Sequence, residues 1–408
     1  MKFLNNYFKK GLAMIIIPAF VFASCKKFLD LKPLSQSTTG TFYQTADDFF
    51  KALNGVYYTV QESYGFFYYL VGDLRADNTT TQTLGGANFW ETGRISIDQF
   101  EETADNDRIQ RLYRFSYNGI QRANAILDKI GNADIPESLK TQYTGEAKTI
   151  RANFYYNLVR VFGGIPLVTT EFTDINETYK VGRATVNEVY DQIILDLQEA
   201  KTLLPLSYDA NNIGRVTKGA ATSLLGDVYL TLHQYGNAAA EFKEVIASNQ
   251  YQLLDNYSDV FLDGTHGNKE AIWQAQFKSS TPYSGSSFAN FFAPTGSDNI
   301  LVNGPAVGFN QPTEDLINDY EVGDLRKAAS IGDGYTDGGG TFIPAKYIKL
   351  YVRFEANALD SDLDWYILRY SDILLRCAEA INEVEGPTIE SYGHLNKVRE
   401  RAGLAPLS

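Results

Sequence analysis

Cysteine is nearly absent: two in 408 residues, too few for a disulfide framework or a cysteine-based zinc site. Histidine is as scarce, and His233, His266 and His394 stand too far apart in sequence for a metalloprotease-type pair. Basic side chains are outnumbered, 36 against 49 acidic, and the net charge of −13 argues against an electrostatic nucleic-acid binder. With 33 Gly and 12 Pro, the composition is neither collagen-like nor low-complexity. No G-x-S-x-G elbow or G-x-x-x-x-G-K-[ST] phosphate loop occurs, and the Gly332–Gly340 stretch lacks the lysine and following helix of the latter. Glycoside hydrolysis needs two positioned carboxylates, and nothing singles out a pair among the acids. No enzyme activity, no cofactor and no metal site is therefore expected. What is abundant is aromatic and lopsided: 27 Tyr and 25 Phe against 3 Trp.

The N-terminus reads as an address. Lys2, Lys9 and Lys10 precede an apolar run from Gly11 to Ala23, too short to span a bilayer and typical of a secretory signal. The run ends in Phe22-Ala23-Ser24-Cys25, where a lipoprotein cleavage site would stand, although Phe22 and Ser24 depart from its usual residues. Residues 1–24 are thus expected to be a signal peptide, Cys25 the lipidated residue, and 25–40 a tether. An ordinary secreted protein with an unrelated cysteine is the alternative. Cys377 shares a helical face with Ile373, Leu374 and Ile381 and is expected to be a buried apolar residue.

From residue 41 the periodicity is helical. Thr45 caps a stripe of Phe49, Leu53, Val56, Tyr57 and Val60; Ile109 to Ile130 forms another, closed by Gly131. Pro136 opens a helix that Gly163-Gly164 and Pro166 stop, and Thr185 with Glu188 makes a capping box. Leu225-Gly226-x-x-Tyr229 and Ala238-x-x-x-Phe242 keep the offsets of a tetratricopeptide helix pair, with Gly236-Asn237 expected at the turn and next cap. One pair cannot bury its own face, so pairs around 143–204 and 365–400 are expected to stack on it. Residues 254–364 are richer in Gly, Ser, Asn and Pro, and Gly332–Gly340 is expected to be loop. The aromatic run Tyr64, Phe66 to Tyr69 and Trp273 are expected in the core.

Several stretches together resemble the SusD/RagB family of nutrient-uptake outer-membrane lipoproteins. They are Cys25 to Pro33, Phe42-Tyr43, Ala52 to Tyr57, Glu146 to Arg151, Tyr155 to Arg160 and Phe162 to Leu167. Lys218 to Ala221, Asp324 to Arg326, Leu368 to Leu375, Ala378 to Ala380 and Leu395 to Arg399 follow in order. The resemblance implies a mainly α fold, with tetratricopeptide-like helix pairs forming a scaffold under a loop-rich ligand-binding face. One domain is expected over 41–408, its scaffold mainly 41–253 and 365–408 and its loop-rich part 254–364. The family pattern continues beyond Ser408, so either the sequence is truncated or this member lacks the family's C-terminal segment.

The resemblance also implies a lipid anchor at the cell-surface side of the outer membrane and a SusC-like TonB-dependent transporter as partner. The ligand it implies is an extracellular oligosaccharide or, in RagB-like members, a peptide; a tetratricopeptide scaffold for envelope assembly is the third reading. Sugars offer apolar C–H faces and rings of hydroxyls, which flat aromatics and planar polar side chains match. Arg75, Asp77, Asn78, Asn88 and Trp90 place polar forks and an indole on one Gly-flanked loop. Tyr283 and Phe288 repeat that chemistry in a Ser/Gly-rich segment. These seven residues are the candidate ligand contacts.

Overall fold

A computed structural model describes residues 42–82, 89–262, 266–281 and 284–408, with the backbone alone for 89 and 90. Cys25 and residues 1–24, where a signal peptide is expected, lie outside the described residues. The first helix, α1 (Ala46–Phe66), starts where the sequence places it. Thr45 Oγ1 accepts from the Asp48 N–H at 3.2 Å, and the Asp48 carboxylate accepts from the Thr45 N–H at 2.9 Å. Phe49, Leu53, Val56 and Val60 are buried along one face. A single π turn (Leu70–Leu74) then leads to a short strand, β1 (Thr79–Thr80), and to α2 (Phe89–Asp98).

The scaffold continues through α3 (Asp107–Ile130), α4 (Glu137–Phe162), α5 (Val186–Leu203), α6 (Lys218–Thr231) and α7 (Tyr235–Ala247). It closes with α8 (Tyr370–Glu385) and α9 (Ile389–Arg401). The packing is serial: α1 lies on α3, α3 on α4, and so on through α8 on α9, as stacked helix pairs require. The step from α7 to α8 joins segments that residues 248–369 separate in sequence.

Two relationships fix the stack. Between α6 and α7 the helices approach so closely that a Cβ on Gly226 would fall 2.6 Å from Phe242 Cε1. Ala238 and Phe242 are wholly buried beside it. Between α4 and α5, Arg151 donates to both oxygens of buried Asp196, at 2.8 and 2.6 Å, and also to Asn124 Oδ1 at 2.8 Å. The α6–α7 turn differs from expectation. α7 begins at Tyr235, ahead of Gly236-Asn237, and the chain reverses through His233 at φ +56°. The Asn237 amide donates back to Gln234 Oε1 at 3.0 Å rather than capping the helix.

The irregular part carries three two-stranded antiparallel ribbons. β2 (Ala271–Ala275) pairs with β6 (Trp365–Arg369), β1 with β3 (Gln311–Pro312), and β4 (Ile331–Thr336) with β5 (Phe342–Ile348). The β4–β5 hairpin corrects part of the loop expected at 332–340: residues 332–336 are strand, and 337–340 form the connecting turn. Ile331 and Tyr335 are buried, and the partner strand β5 fixes the register that the glycines of β4 leave open, with Gly332 opposite Tyr347. Trp273, Tyr64, Phe67 and Tyr69 are buried as expected, and Cys377 is a free, buried thiol.

Candidate functional site

The segment after α1 is pinned by backbone and presented by side chain. Thr79 pairs with Pro312 and Thr80 with Gln311 in the β1–β3 ribbon. Thr313 extends it: its N–H donates to the Asn78 carbonyl and its hydroxyl to the Asp77 carbonyl, each at 3.0 Å. With those carbonyls held, the side chains of Arg75, Asp77 and Asn78 stand in solvent. Arg75 pairs with the Glu102 carboxylate, and its guanidinium lies 5.0 Å from the ring centroid of Phe100. Phe100 is 61% exposed, at φ +58°, just past the end of α2. Thr80 Oγ1 donates to Asp98 at 2.9 Å and closes the patch on its far side.

Beneath this surface α2 is locked to the irregular layer by Arg94, which is buried. Its guanidinium covers the Phe309 ring at 3.7 Å and donates to Thr81 Oγ1 and to the Gln82 carbonyl. Gln82 in turn accepts from the Thr295 N–H at 2.8 Å and from its hydroxyl at 3.0 Å. Asp73 accepts from Asn310 Nδ2 at 3.3 Å, and burial pushes its carboxyl up to about 6. Thr81 and Gln82 precede Arg94 by about a dozen residues, whereas Phe309, Thr295 and Asn310 sit more than two hundred residues from the groups they meet. The arrangement is a firm base under an exposed aromatic–guanidinium pair edged by carboxylate and amide.

The structure therefore brings Arg75 to the end of α2, through Glu102 and Phe100, while Asp77 and Asn78 are held by their carbonyls on Thr313 with exposed side chains. Trp90 falls on the second residue of α2 rather than on a loop, because the helix begins at Phe89. Asn88 and Tyr283 lie outside the described residues. Phe288 is a correction to the expectation: its ring is wholly buried, 5.1 Å from Trp365 and 5.6 Å from Phe277, centroid to centroid. Ser286 and Ser287 suggested a surface loop, but Ser286 N–H and carbonyl both pair with Ser361 and fold the ring inward. Phe100 is the residue that pattern reading misses, since it belongs to no periodic stretch. Among the described residues no group of three or more His, Cys, Asp or Glu is placed to hold a metal ion.

Comparison with known proteins gives this surface its context. Residues 27–230 match a family model described as starch-binding, associating with the outer membrane, and residues 339–408 match the SusD family model. The chain belongs to the SusD family. SusD-like protein P25 of Formosa agariphila is 27% identical over 423 residues, covering 93% of this chain and 79% of that one. A SusD-like protein of Bacteroides ovatus is 26% identical over 446 residues, covering 97% and 77%. Among solved structures, a laminarin-binding SusD-like protein superposes with a TM-score of 0.78 at 25% identity, covering 90% of this chain and 86% of its own. A SusD superfamily protein from Parabacteroides distasonis gives 0.78 at 27%, covering 91% and 82%. Surface glycan-binding protein A of Bacteroides thetaiotaomicron, solved with laminarihexaose, shares the fold at 20% identity and a TM-score of 0.77, covering 90% and 85%. The helical stack with its irregular layer is thus the SusD fold.

Proposed function

We propose that this SusD-family chain captures an extracellular oligosaccharide, without catalysis, and hands it to a SusC-like TonB-dependent transporter. Cys25, acylated at the mature N-terminus, holds it at the outer membrane. Among the described residues no helix is long and apolar enough to cross a membrane.

The observation that carries the reading is the exposed Arg75–Phe100 pair, with the exposed side chains of Asp77 and Asn78 two and three residues further along the chain from Arg75. An open ring offers a stacking face for sugar C–H groups, and the polar forks around it match hydroxyls. Trp90, in the first turn of the adjoining helix, is proposed as a second stacking group, with Asn88 and Tyr283 as further contacts. The laminarin-binding relative supports a carbohydrate over a peptide.

Isothermal titration of the purified chain against oligosaccharide and peptide panels tests the ligand class. Heat from an oligosaccharide is expected; heat from peptides alone would replace the glycan by a peptide. Labelled palmitate in growing cells tests Cys25: incorporation is expected, and its absence would remove the anchor. Co-purification of a barrel transporter tests the partner.

A further inference from the structure

A second cleft opens along the middle of α1, from Phe50 to Gln61, where the strap Asn211–Arg215 and the end of β2 face that helix. It encloses about 380 Å³, within the range of small-ligand sites, and is lined by Phe50, Asn54, Tyr58, Gln61, Asn211 and Gln276 among others. No residue of the 75–82 segment contributes to it.

Its walls are built. Glu146, wholly buried, accepts from Tyr57 at 2.6 Å, Gln142 at 2.8 Å, Arg215 at 2.9 Å and Tyr208 at 3.2 Å. Arg215 uses its remaining nitrogens on Asn54 at 2.8 Å and Asn212 at 2.9 Å. Its guanidinium also lies 4.7 Å from the Phe50 ring centroid. Gly214, at φ +90°, lets the strap pass directly over Gln276: a Cβ there would fall 2.4 Å from Gln276 Cδ. Gln276 Nε2 has no acceptor among the described residues.

The chemistry selects a ligand. The guanidinium in the wall is paired with buried Glu146 and each of its three nitrogens already donates, so the wall favours a neutral ligand over an anion. What remains exposed is neutral: the rings of Phe50 and Tyr58 and the amide of Asn211, with the half-buried Gln276 behind them. Flat rings interleaved with amides match the C–H faces and hydroxyls of a sugar. We propose that this cleft is a second binding site for a neutral oligosaccharide, independent of the Arg75–Phe100 surface. A second subsite would let a long chain be held at one place while the other releases it.

The test is titration of the detergent-solubilised mature chain with laminari-, malto-, cello-, xylo- and mannohexaose. The tightest of these is expected to occupy two sites per chain. Tyr58→Ala is expected to weaken one site about tenfold, Asn211→Ala less, and Trp90→Ala to leave that site unchanged. Tyr58 and Asn211 are both exposed, so melting temperatures are expected to stay within error of wild type. One site per chain that ignores Tyr58→Ala and Asn211→Ala, or no heat from any hexaose, would overturn the cleft. If Trp90→Ala abolishes all heat, the cleft falls and the proposed function stands. If Tyr58→Ala alone abolishes it, the cleft stands and the Arg75–Phe100 surface falls.

Discussion

The guanidinium of Arg94 lies 3.7 Å from the ring centroid of Phe309, and through that contact α2 is tied to the strand segment that pairs with β1. Arg94 also holds Thr81 and Gln82, so one buried side chain supports the helix, the ribbon and the exposed surface between them. Arg94→Ala removes the ring contact and strands two acceptors. It is expected to cost about 2–3 kcal/mol in denaturant unfolding. Oligosaccharide affinity is expected to fall with it, because the base under Arg75 and Trp90 loosens.

The α6–α7 crossing makes a sharper stability test. Any side chain at Gly226 enters the space of the buried Phe242 ring. Gly226→Val is expected to lower stability by about 1–3 kcal/mol, the usual cost of overpacking. A companion Phe242→Leu change is expected to recover part of the loss. No recovery would mean that another contact sets the helix spacing.

Arg151 and Asp196 form a buried pair whose members are hard to remove singly. Asp196→Ala leaves the guanidinium without its carboxylate and is expected to cost about 3–5 kcal/mol. Arg151→Met with Asp196→Leu together is expected to cost much less than the sum of the single changes. A double-mutant cycle reads the coupling directly.

Asp73 gives a pH dependence with a definite sign. Burial disfavours the charged form and pushes its carboxyl up to about 6 in the folded chain, from an ordinary 3.8. A raised folded value means stability is fully present below about pH 4 and lost as pH rises through 6. Asp73→Asn is therefore expected to match wild type in melting temperature at pH 4 and to exceed it at pH 7. Parallel profiles across that range would count against the buried carboxyl.

Burial pushes the Cys377 thiol up to about 12. In a Cys25→Ser chain no thiol is expected to react with Ellman's reagent until denaturant is added.

Much of the scaffold is legible in the sequence because helix signals are local. The Thr45 cap, the Thr185–Glu188 box and the Phe49-to-Val60 stripe need only neighbours a few residues away, and they appear where the periodicity places them. Gly226 with Phe242 is legible for the same reason, as one helix pair in one short stretch. Three features are not. The β4 strand is hidden because a partner, β5, supplies the register that its glycines do not. Phe288 turns inward through Ser286–Ser361 and rings such as Trp365, contacts that no local pattern reports. Phe100 becomes a candidate contact only when Arg75 comes to lie over it, across the whole of α2. Binding surfaces in this fold are made by distant segments meeting.

The most direct measurement is the affinity of the tightest-binding oligosaccharide for wild type, Arg75→Ala, Phe100→Ala and Trp90→Ala, by isothermal titration. At least a tenfold loss is expected at one site for Phe100→Ala and Trp90→Ala, with a smaller loss for Arg75→Ala. Affinities unchanged in all three variants, with melting temperatures also unchanged, would contradict the placement of the glycan on this surface.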